Sequence, residues 1–223
     1  MAAIELLLRG HPSMAPLWRL ASDVLSLPDR ALAVRRLSAA LEGDRGGLDA
    51  LAPRVAGLRL LTISYSSSVV ELVRLTRPET VLCMRSDPGG EGGHAAEATS
   101  AWTNSAMIED DEAISDVPAD LVVVGADAVT PVTVVNKVKT TALAEAAGRK
   151  GIQIHAVAGE FKFVGAKLPV APVFEAAPLE LFSAIAGPQG LWDPSQAGTH
   201  ARSRRIHPEL RPLLNELLRE SGD

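Results

Sequence analysis

Cysteine and long apolar runs are scarce in this 223-residue sequence. The single cysteine, Cys83, excludes an internal disulfide and agrees with a reducing cytoplasm. No apolar run approaches the ~20 residues that a membrane-spanning helix needs. Glu5 interrupts the apolar start of the chain, which is not typical of a signal peptide. We therefore expect a cytoplasmic protein with no membrane partner.

Clustered basic residues are also missing. The net charge is −5, and the local patch of Arg202, Arg204 and Arg205 is short. Because a phosphate backbone needs clustered Lys and Arg, no direct contact with nucleic acid is expected, and the patch is interpreted as a solvated face. His94 and His155 stand alone, without the spacing of metal ligands. No metal or other cofactor is predicted.

The first 57 residues carry a helical pattern. Met14, Leu17, Leu20, Ala21 and Val24 recur at three- and four-residue spacing, as on one face of a helix. A glycine pair at 46–47 interrupts the pattern and Gly57 ends it. We expect a short helical N-terminal region over residues 1–57.

From residue 58 the pattern changes to short apolar runs rich in β-branched residues. These runs lie at 58–63, 80–84, 120–124 and 152–157, and helical patterns separate them. Strands that alternate with helices are typical of βαβ units and a parallel sheet. Because the runs are continuous rather than alternating, both faces of the sheet are expected to be buried. Cys83 falls inside one run and is interpreted as a buried apolar residue.

Prolines are frequent after residue 168, so this stretch is expected to wrap the sheet irregularly. A final helix is predicted from Pro208 to Arg219, with leucines on one face. The predicted fold class is therefore α/β, a parallel sheet flanked by helices and preceded by a short helical region.

Ligands of open parallel sheets bind beyond the carboxyl ends of the strands, so the residues that follow each strand are the candidates. Ser64, Ser66, Ser67 and Ser68 follow the first strand and offer hydroxyls and free N–H groups to an anion. The alternative is that one serine caps the next helix and the others form a turn.

Two further candidates follow the run at 120–124. Asp127 comes after Gly125 and Ala126, which leave room for a ligand, and suits proton transfer or hydroxyl binding. It is otherwise a loop-capping residue. Asn136 and Lys137 are interpreted as the opening of the next helix, where the lysine can meet a phosphate or simply be solvated.

Several of these segments together resemble a known family. The carrying segments are LTISYSSSV at 61–69, VGADAVTP at 124–131, VVNKV at 134–138, FKF at 161–163 and FEAAPLEL at 174–181. In order and spacing over residues 55–194 the chain resembles the translation initiation factor 2B α/β/δ subunits, relatives of the methylthioribose-1-phosphate and ribose-1,5-bisphosphate isomerases. The resemblance implies a Rossmann-like domain over 58–223 with a C-terminal helix, and a dimer.

The sequence departs from the isomerases of that superfamily at three places. Their catalytic cysteine falls on Ser64, while Asp127 is retained. A serine hydroxyl is a far weaker acid than a thiol, whose pKa is ~8.5. Their Glu-Ser-Arg-Pro is Arg85, Ser86, Asp87 and Pro88 here, and a Gly-Gly pair is replaced by Val132 and Thr133. The helical N-terminal region is also about half the usual length.

Three functions fit the resemblance. The first is an aldose–ketose isomerase acting on a phosphorylated pentose, with Asp127 and Ser64 as catalytic residues. The second, favoured because of Ser64, is a regulatory or catalytically reduced subunit that binds a sugar phosphate or related phosphorylated ligand. The third is a subunit of a nucleotide-exchange assembly. Ser66, Ser67, Asn136 and Lys137 are the expected substrate-binding residues.

The resemblance also implies a homodimer. Its candidate buried surface is the proline-rich segment together with Phe174 to Ile185.

Overall fold

The computed structural model of the protein describes residues 2–222, with the backbone alone at Arg30. Its N-terminal part is helical, as the sequence predicts. The helices are α1 Ala2–Gly10, α2 Ala15–Ser26, α3 Arg30–Glu42 and α4 Leu48–Leu51, and a 3-10 turn follows at Ala52–Arg54. Asp29 begins α3 because its carboxylate accepts the Leu32 N–H at 2.9 Å.

Ten strands follow along the chain. They are β1 Arg59–Ile63, β2 Thr80–Met84, β3 Asn104–Ile108, β4 Leu121–Val124, β5 Ala128–Val129, β6 Thr133–Lys137, β7 Gln153–Val157, β8 Phe174–Pro178, β9 Ala184–Gly187 and β10 Gly190–Trp192. Seven of them form one sheet in the order β10-β9-β7-β4-β1-β2-β3. All neighbours in it are parallel except β9 and β10. The predicted α/β class is confirmed.

Helices cover both faces of this sheet. They are α5 Ser67–Thr76, α6 Glu91–Thr99, α7 Asp110–Asp116, α8 Thr140–Arg149 and α9 Pro194–Ser203, while α10 Arg211–Glu220 packs with α1, α2 and β6. All four residues of the central strand β4 are buried, which explains its unbroken apolar run. Between residues 2 and 222 no helix is long and apolar enough to cross a membrane.

A second, antiparallel sheet has the order β5-β6-β8. It corrects one prediction, because Asn136 and Lys137 end strand β6 and do not open a helix; helix α8 begins only at Thr140. The pairing of β6 with both β5 and β8 favours the extended conformation there, and this pairing is not visible in the local sequence.

The proline-rich stretch is more regular than predicted, since it contains β8, β9 and β10. Pro178 is tolerated as the last residue of β8, an edge strand of the small sheet. The predicted final helix is present as a 3-10 turn at Pro208–Leu210 that continues into α10.

Buried apolar residues form three clusters. Two lie on opposite faces of the large sheet. The third joins Leu8 of α1 and Trp18 of α2 to Val135 of β6 and Leu214 of α10. The N-terminal helices thus share a core with the rest of the chain, and the division at residue 57 stays a prediction.

Candidate functional site

A small cavity of about 120 Å³ lies at the carboxyl edge of the large sheet. Its walls come from the loops after β1 and β4, the end of β6 and the turn after β7. The lining residues are Tyr65, Ser66, Ser67, Ser68, Gly125, Ala126, Asp127, Asn136 and Lys162. Since β1, β4 and β7 are adjacent in the sheet, the loops that follow them meet at this point.

The serines of the cavity lie at the N-terminus of α5. Ser66 caps this ten-residue helix, and its Oγ accepts the Val69 N–H at 3.4 Å. Ser67 and Ser68 follow in the first turn, where backbone N–H groups have no partner inside the helix. The helix dipole adds partial positive charge there, so this wall favours an anion.

The opposite wall approaches Ser66 very closely at Gly125. A Cβ atom built on Gly125 would lie 2.4 Å from Ser66 Oγ and 2.7 Å from its Cβ. Only glycine therefore fits at this position, and the strand β4 and the start of α5 are held in contact.

Asp127 and Lys162 are the charged residues of the cavity, and both are half-buried. They attract each other electrostatically, but neither side chain forms a hydrogen bond or an ion pair within residues 2–222. Burial raises the pKa of the Asp127 carboxyl, an effect that Lys162 opposes. Burial lowers the pKa of the Lys162 ammonium, although Asp127 and Asp44 act against this shift. Two poorly solvated charges thus face one small space.

The N-terminal region contributes to this site through the loop between α3 and α4. Asp44 accepts the Phe161 N–H at 3.4 Å and the Gly46 N–H at 3.2 Å. A Cβ on Gly159 would lie 2.2 Å from Asp44 Oδ2. Asp44 therefore fixes the turn that carries Lys162.

Helix α2 contacts both charged loops. The Ala15 N–H donates to the Asp127 carbonyl at 3.0 Å, and Arg19 Nη1 donates to the Phe163 carbonyl at 3.1 Å. Arg19 is 9% exposed, so this second contact is buried.

Asn136 and Lys137 point to opposite sides of β6, as neighbouring residues of a strand do. Asn136 lines the cavity, and its Nδ2 donates to Thr140 Oγ1 at 3.1 Å. The Lys137 ammonium is 1% exposed and binds Glu91 Oε1 at 2.8 Å and the Pro88 carbonyl. It does not line the cavity.

Ser64 also lies outside the cavity lining. It directly follows β1 with a φ of 64°, and its N–H donates to Ser86 Oγ at 2.7 Å. Arg85 and Asp87, the exchanged acid–base pair, contact each other at 3.5 Å, and Arg85 also binds Glu109 at 2.8 Å.

Asp110, which the sequence did not single out, holds this neighbouring loop. Its carboxylate accepts the N–H groups of Ser86 and Asp87 and binds Lys139 Nζ at 2.6 Å. Burial alone raises the pKa of Asp110, but the Lys139 ammonium and these N–H groups outweigh burial and hold the pKa below its usual value. The contacts of the Asp110 carboxylate therefore hold the loop at Ser86 and Asp87 in place.

Neither a thiol nor a metal site accompanies the cavity. Cys83 is fully buried on β2, and burial raises the pKa of its thiol to about 12, so the thiol stays protonated at neutral pH. No group of three or more His, Cys, Asp or Glu in the described part of the chain could hold a metal ion.

The structure thus brings together four of the six expected site residues, Ser66, Ser67, Asp127 and Asn136, while Ser64 and Lys137 lie beside the cavity. Lys162 was missed. It lies shortly after the strand run at 152–157, so the same rule that selected Asp127 applies to it.

Comparison with known proteins gives matches of two kinds. Residues 49–190 match the sequence profile of IF-2B, the initiation factor 2 subunit family. No curated protein sequence matches the chain significantly.

Solved structures share the fold. A translation initiation factor eIF-2B of Pyrococcus horikoshii OT3 is 24% identical at a TM-score of 0.78, over 88% of this chain and 82% of that one. The eIF2B beta of Chaetomium thermophilum is 13% identical at a TM-score of 0.65, over 92% and 72%. The tetrameric eIF2B-beta2-delta2 complex of C. thermophilum matches at 15% identity and a TM-score of 0.69, over 91% and 78%.

Proposed function

The chain belongs to the initiation factor 2 subunit family, and from this premise we propose that it binds a sugar phosphate or a related phosphorylated ligand. In this proposal it is a regulatory or catalytically reduced relative of the initiation factor 2B subunits. We also propose a cytoplasmic location, with which the free Cys83 thiol agrees.

The observation that carries the proposal is that one cavity contains both the Lys162 ammonium, which forms no ion pair within residues 2–222, and the N-terminus of helix α5. Lys162 faces the start of α5, where Ser66, Ser67 and Ser68 offer hydroxyl and N–H donors. A phosphate between them would receive charge-assisted hydrogen bonds from both sides. Asp127 repels a phosphate and is suited to accept sugar hydroxyls, as is the side-chain oxygen of Asn136.

The size of the cavity limits what enters it. At about 120 Å³ it is smaller than the ~300–1,000 Å³ of most small-molecule sites. We therefore expect the phosphate end of the ligand to enter and the rest of the sugar to extend outward past Tyr65, which is 49% exposed.

The alternative function is an aldose–ketose isomerase acting on ribose-1,5-bisphosphate or methylthioribose-1-phosphate. The raised pKa of Asp127 favours it, because a carboxyl nearer neutrality is a better general acid and base. Ser64 disfavours it, because it replaces the thiol of the isomerases, and Cys83 is buried elsewhere.

Both functions are tested with Asp127→Asn. We expect the variant to retain binding of the phosphorylated pentoses, measured by calorimetry, and any conversion to ketose, followed by NMR, to be lost. Free ribose should bind far more weakly than its phosphates. Glu97→Gln, an exposed change on α6, is the matched control. Equal binding of ribose and ribose phosphates would contradict the phosphate assignment.

We further propose a homodimer. A homodimer is compatible with the third function, that of a subunit in a nucleotide-exchange assembly. Of the predicted surface, Phe182 and Ile185 are buried within the chain, whereas Ala176 is exposed. Ala176 lines an apolar groove of about 650 Å³ together with Leu168, Val170 and Val132, which is 62% exposed, and we propose this groove as the dimer contact.

Sedimentation should therefore give twice the chain mass of 23.5 kDa at micromolar concentration. Val132→Glu is expected to shift the mass to one chain, because it introduces a charge into an apolar contact. Leu41→Glu, which changes a 50% exposed residue of α3, should leave the dimer intact. A parent protein that sediments as one chain would refute this proposal.

A further inference from the structure

A second polar cavity, of about 350 Å³, lies between the end of α9 and helix α10. Three arginines line it, Arg202, Arg205 and Arg211, together with Asn215. Its remaining lining residues are Gly165, Ala166, Ile206 and Leu214, which are apolar or lack a polar side chain.

The chain path explains why Arg202 and Arg205 share this cavity. Arg204, between them, turns away to bind Glu160 Oε1 at 2.7 Å. The segment is fixed by the Gly165 N–H, which donates to the Arg204 carbonyl at 2.7 Å. Arg202 and Arg205 are exposed, as the sequence predicts for a solvated face, and both border the cavity. Arg204 is half-buried in its ion pair with Glu160.

Helix α10 supplies the other side. Arg211 and Asn215 are four residues apart and therefore lie on the same face of the helix. Leu214 is buried beside them and holds this face against the third apolar cluster. The three guanidinium groups consequently border one space from two separate elements.

The charges of this cavity are not balanced by the described part of the chain. Within residues 2–222 none of the three guanidinium groups forms a hydrogen bond or an ion pair, and no Asp or Glu is among the lining residues. Three like charges around one cavity repel each other, in a protein whose net charge is −5. An anion at the centre would remove this repulsion and receive guanidinium hydrogen bonds.

We propose that this cavity is a second anion site, distinct from the Asp127–Lys162 cavity, for a small diphosphate-type polyanion. Guanidinium forks bind phosphate oxygens in pairs, and three positive charges match an anion with more than one phosphate charge. The cavity is open to solvent, because all three arginines and Asn215 are exposed, so a soluble anion can reach the guanidinium groups.

The test uses inorganic pyrophosphate as the probe, titrated by calorimetry at low salt. The Lys162→Met protein serves as background, so that binding at the first cavity does not contribute. We expect one pyrophosphate per chain, and at least about tenfold weaker binding in Arg205→Gln/Arg211→Gln within that background. Arg36→Gln, an exposed change on α3, is the control and should bind like the background.

Citrate tests whether the site selects phosphate over carboxylate groups. Binding about tenfold weaker than that of pyrophosphate supports a phosphate site, and equal affinity overturns that assignment. An absence of pyrophosphate binding overturns the proposal, as does equal loss in Arg36→Gln. Melting curves of the arginine variants establish that they are folded, and because Lys162 is already replaced, failure here does not bear on the sugar-phosphate proposal.

Discussion

Lys162→Met is expected to weaken sugar-phosphate binding about ten- to hundredfold while it raises the melting temperature of the protein without ligand. The loss of affinity follows from removing a charged donor, since such hydrogen bonds contribute about 1.5–3 kcal/mol. The gain in stability follows because burial, which lowers the pKa of Lys162, makes its charged form unfavourable in the folded state. Calorimetry and thermal melts measure the two effects.

The gain in stability should depend on pH with a defined sign. A lysine whose pKa is lowered by folding destabilises the folded protein wherever it is charged. This cost is absent above the unfolded pKa, grows as the pH falls, and is complete below the folded pKa. The methionine variant should therefore exceed the parent most at neutral pH, and the difference should vanish above the ordinary lysine pKa of 10.5. Lys150→Met, an exposed change at the end of α8, should show no such trend. If the Lys162→Met protein binds sugar phosphates like the parent, the assignment of the site to this cavity is wrong.

Glu91→Gln is expected to destabilise the protein, by less than the ~3–5 kcal/mol of breaking a fully buried ion pair, because the Glu91 side chain is 35% exposed. Lys137 would then keep its charge at 1% exposure with only neutral partners, the Pro88 carbonyl among them. Lys137→Met should cost less, because the Glu91 side chain is 35% exposed and can be hydrated. Denaturant titration gives both values.

The same pair of variants separates two roles of Lys137. If its ammonium only holds Glu91 and the loop at Pro88, folded Lys137→Met protein should bind sugar phosphates like the parent. Lost binding in Lys137→Met, with normal binding in Lys162→Met, would instead favour the role assigned from the sequence.

The central strands were predictable because burial on both faces leaves a local trace. The run at 80–84 coincides with β2, and that at 120–124 differs from β4 by one residue. β3 was missed because it lies at the edge of the large sheet, where none of its five residues is fully buried. β6 was misassigned because its pairing with β5 and β8 depends on residues distant in sequence.

The candidate site was predictable where loops follow the recognised strands, as at Ser66 and Asp127. The site could not be predicted where the direction of a side chain depends on whether its segment is a strand or a helix. Taking Asn136 and Lys137 as a helix start concealed that they point to opposite faces. Lys162 went unassigned because the rule for residues after a strand was not extended to the 3-10 turn that follows β7, and its place in the cavity depends on the approach of Asp44 and Asp127.

Helix α2 is bonded to both walls of the cavity, and the two walls are also joined directly, since the Val164 N–H donates to the Val129 carbonyl at 3.0 Å. Its first residue is bonded to the Asp127 carbonyl and its Arg19 to the Phe163 carbonyl, next to Lys162. The two contacts of α2 are about 6 Å apart along the helix, at ~1.5 Å per residue, so α2 and the direct bond between the walls together hold the distance between the Asp127 and Lys162 loops. A protein that binds the N-terminal helices and tilts α2 would change the affinity of the cavity for its ligand. By thermodynamic linkage, the ligand would change the affinity for that protein by the same factor.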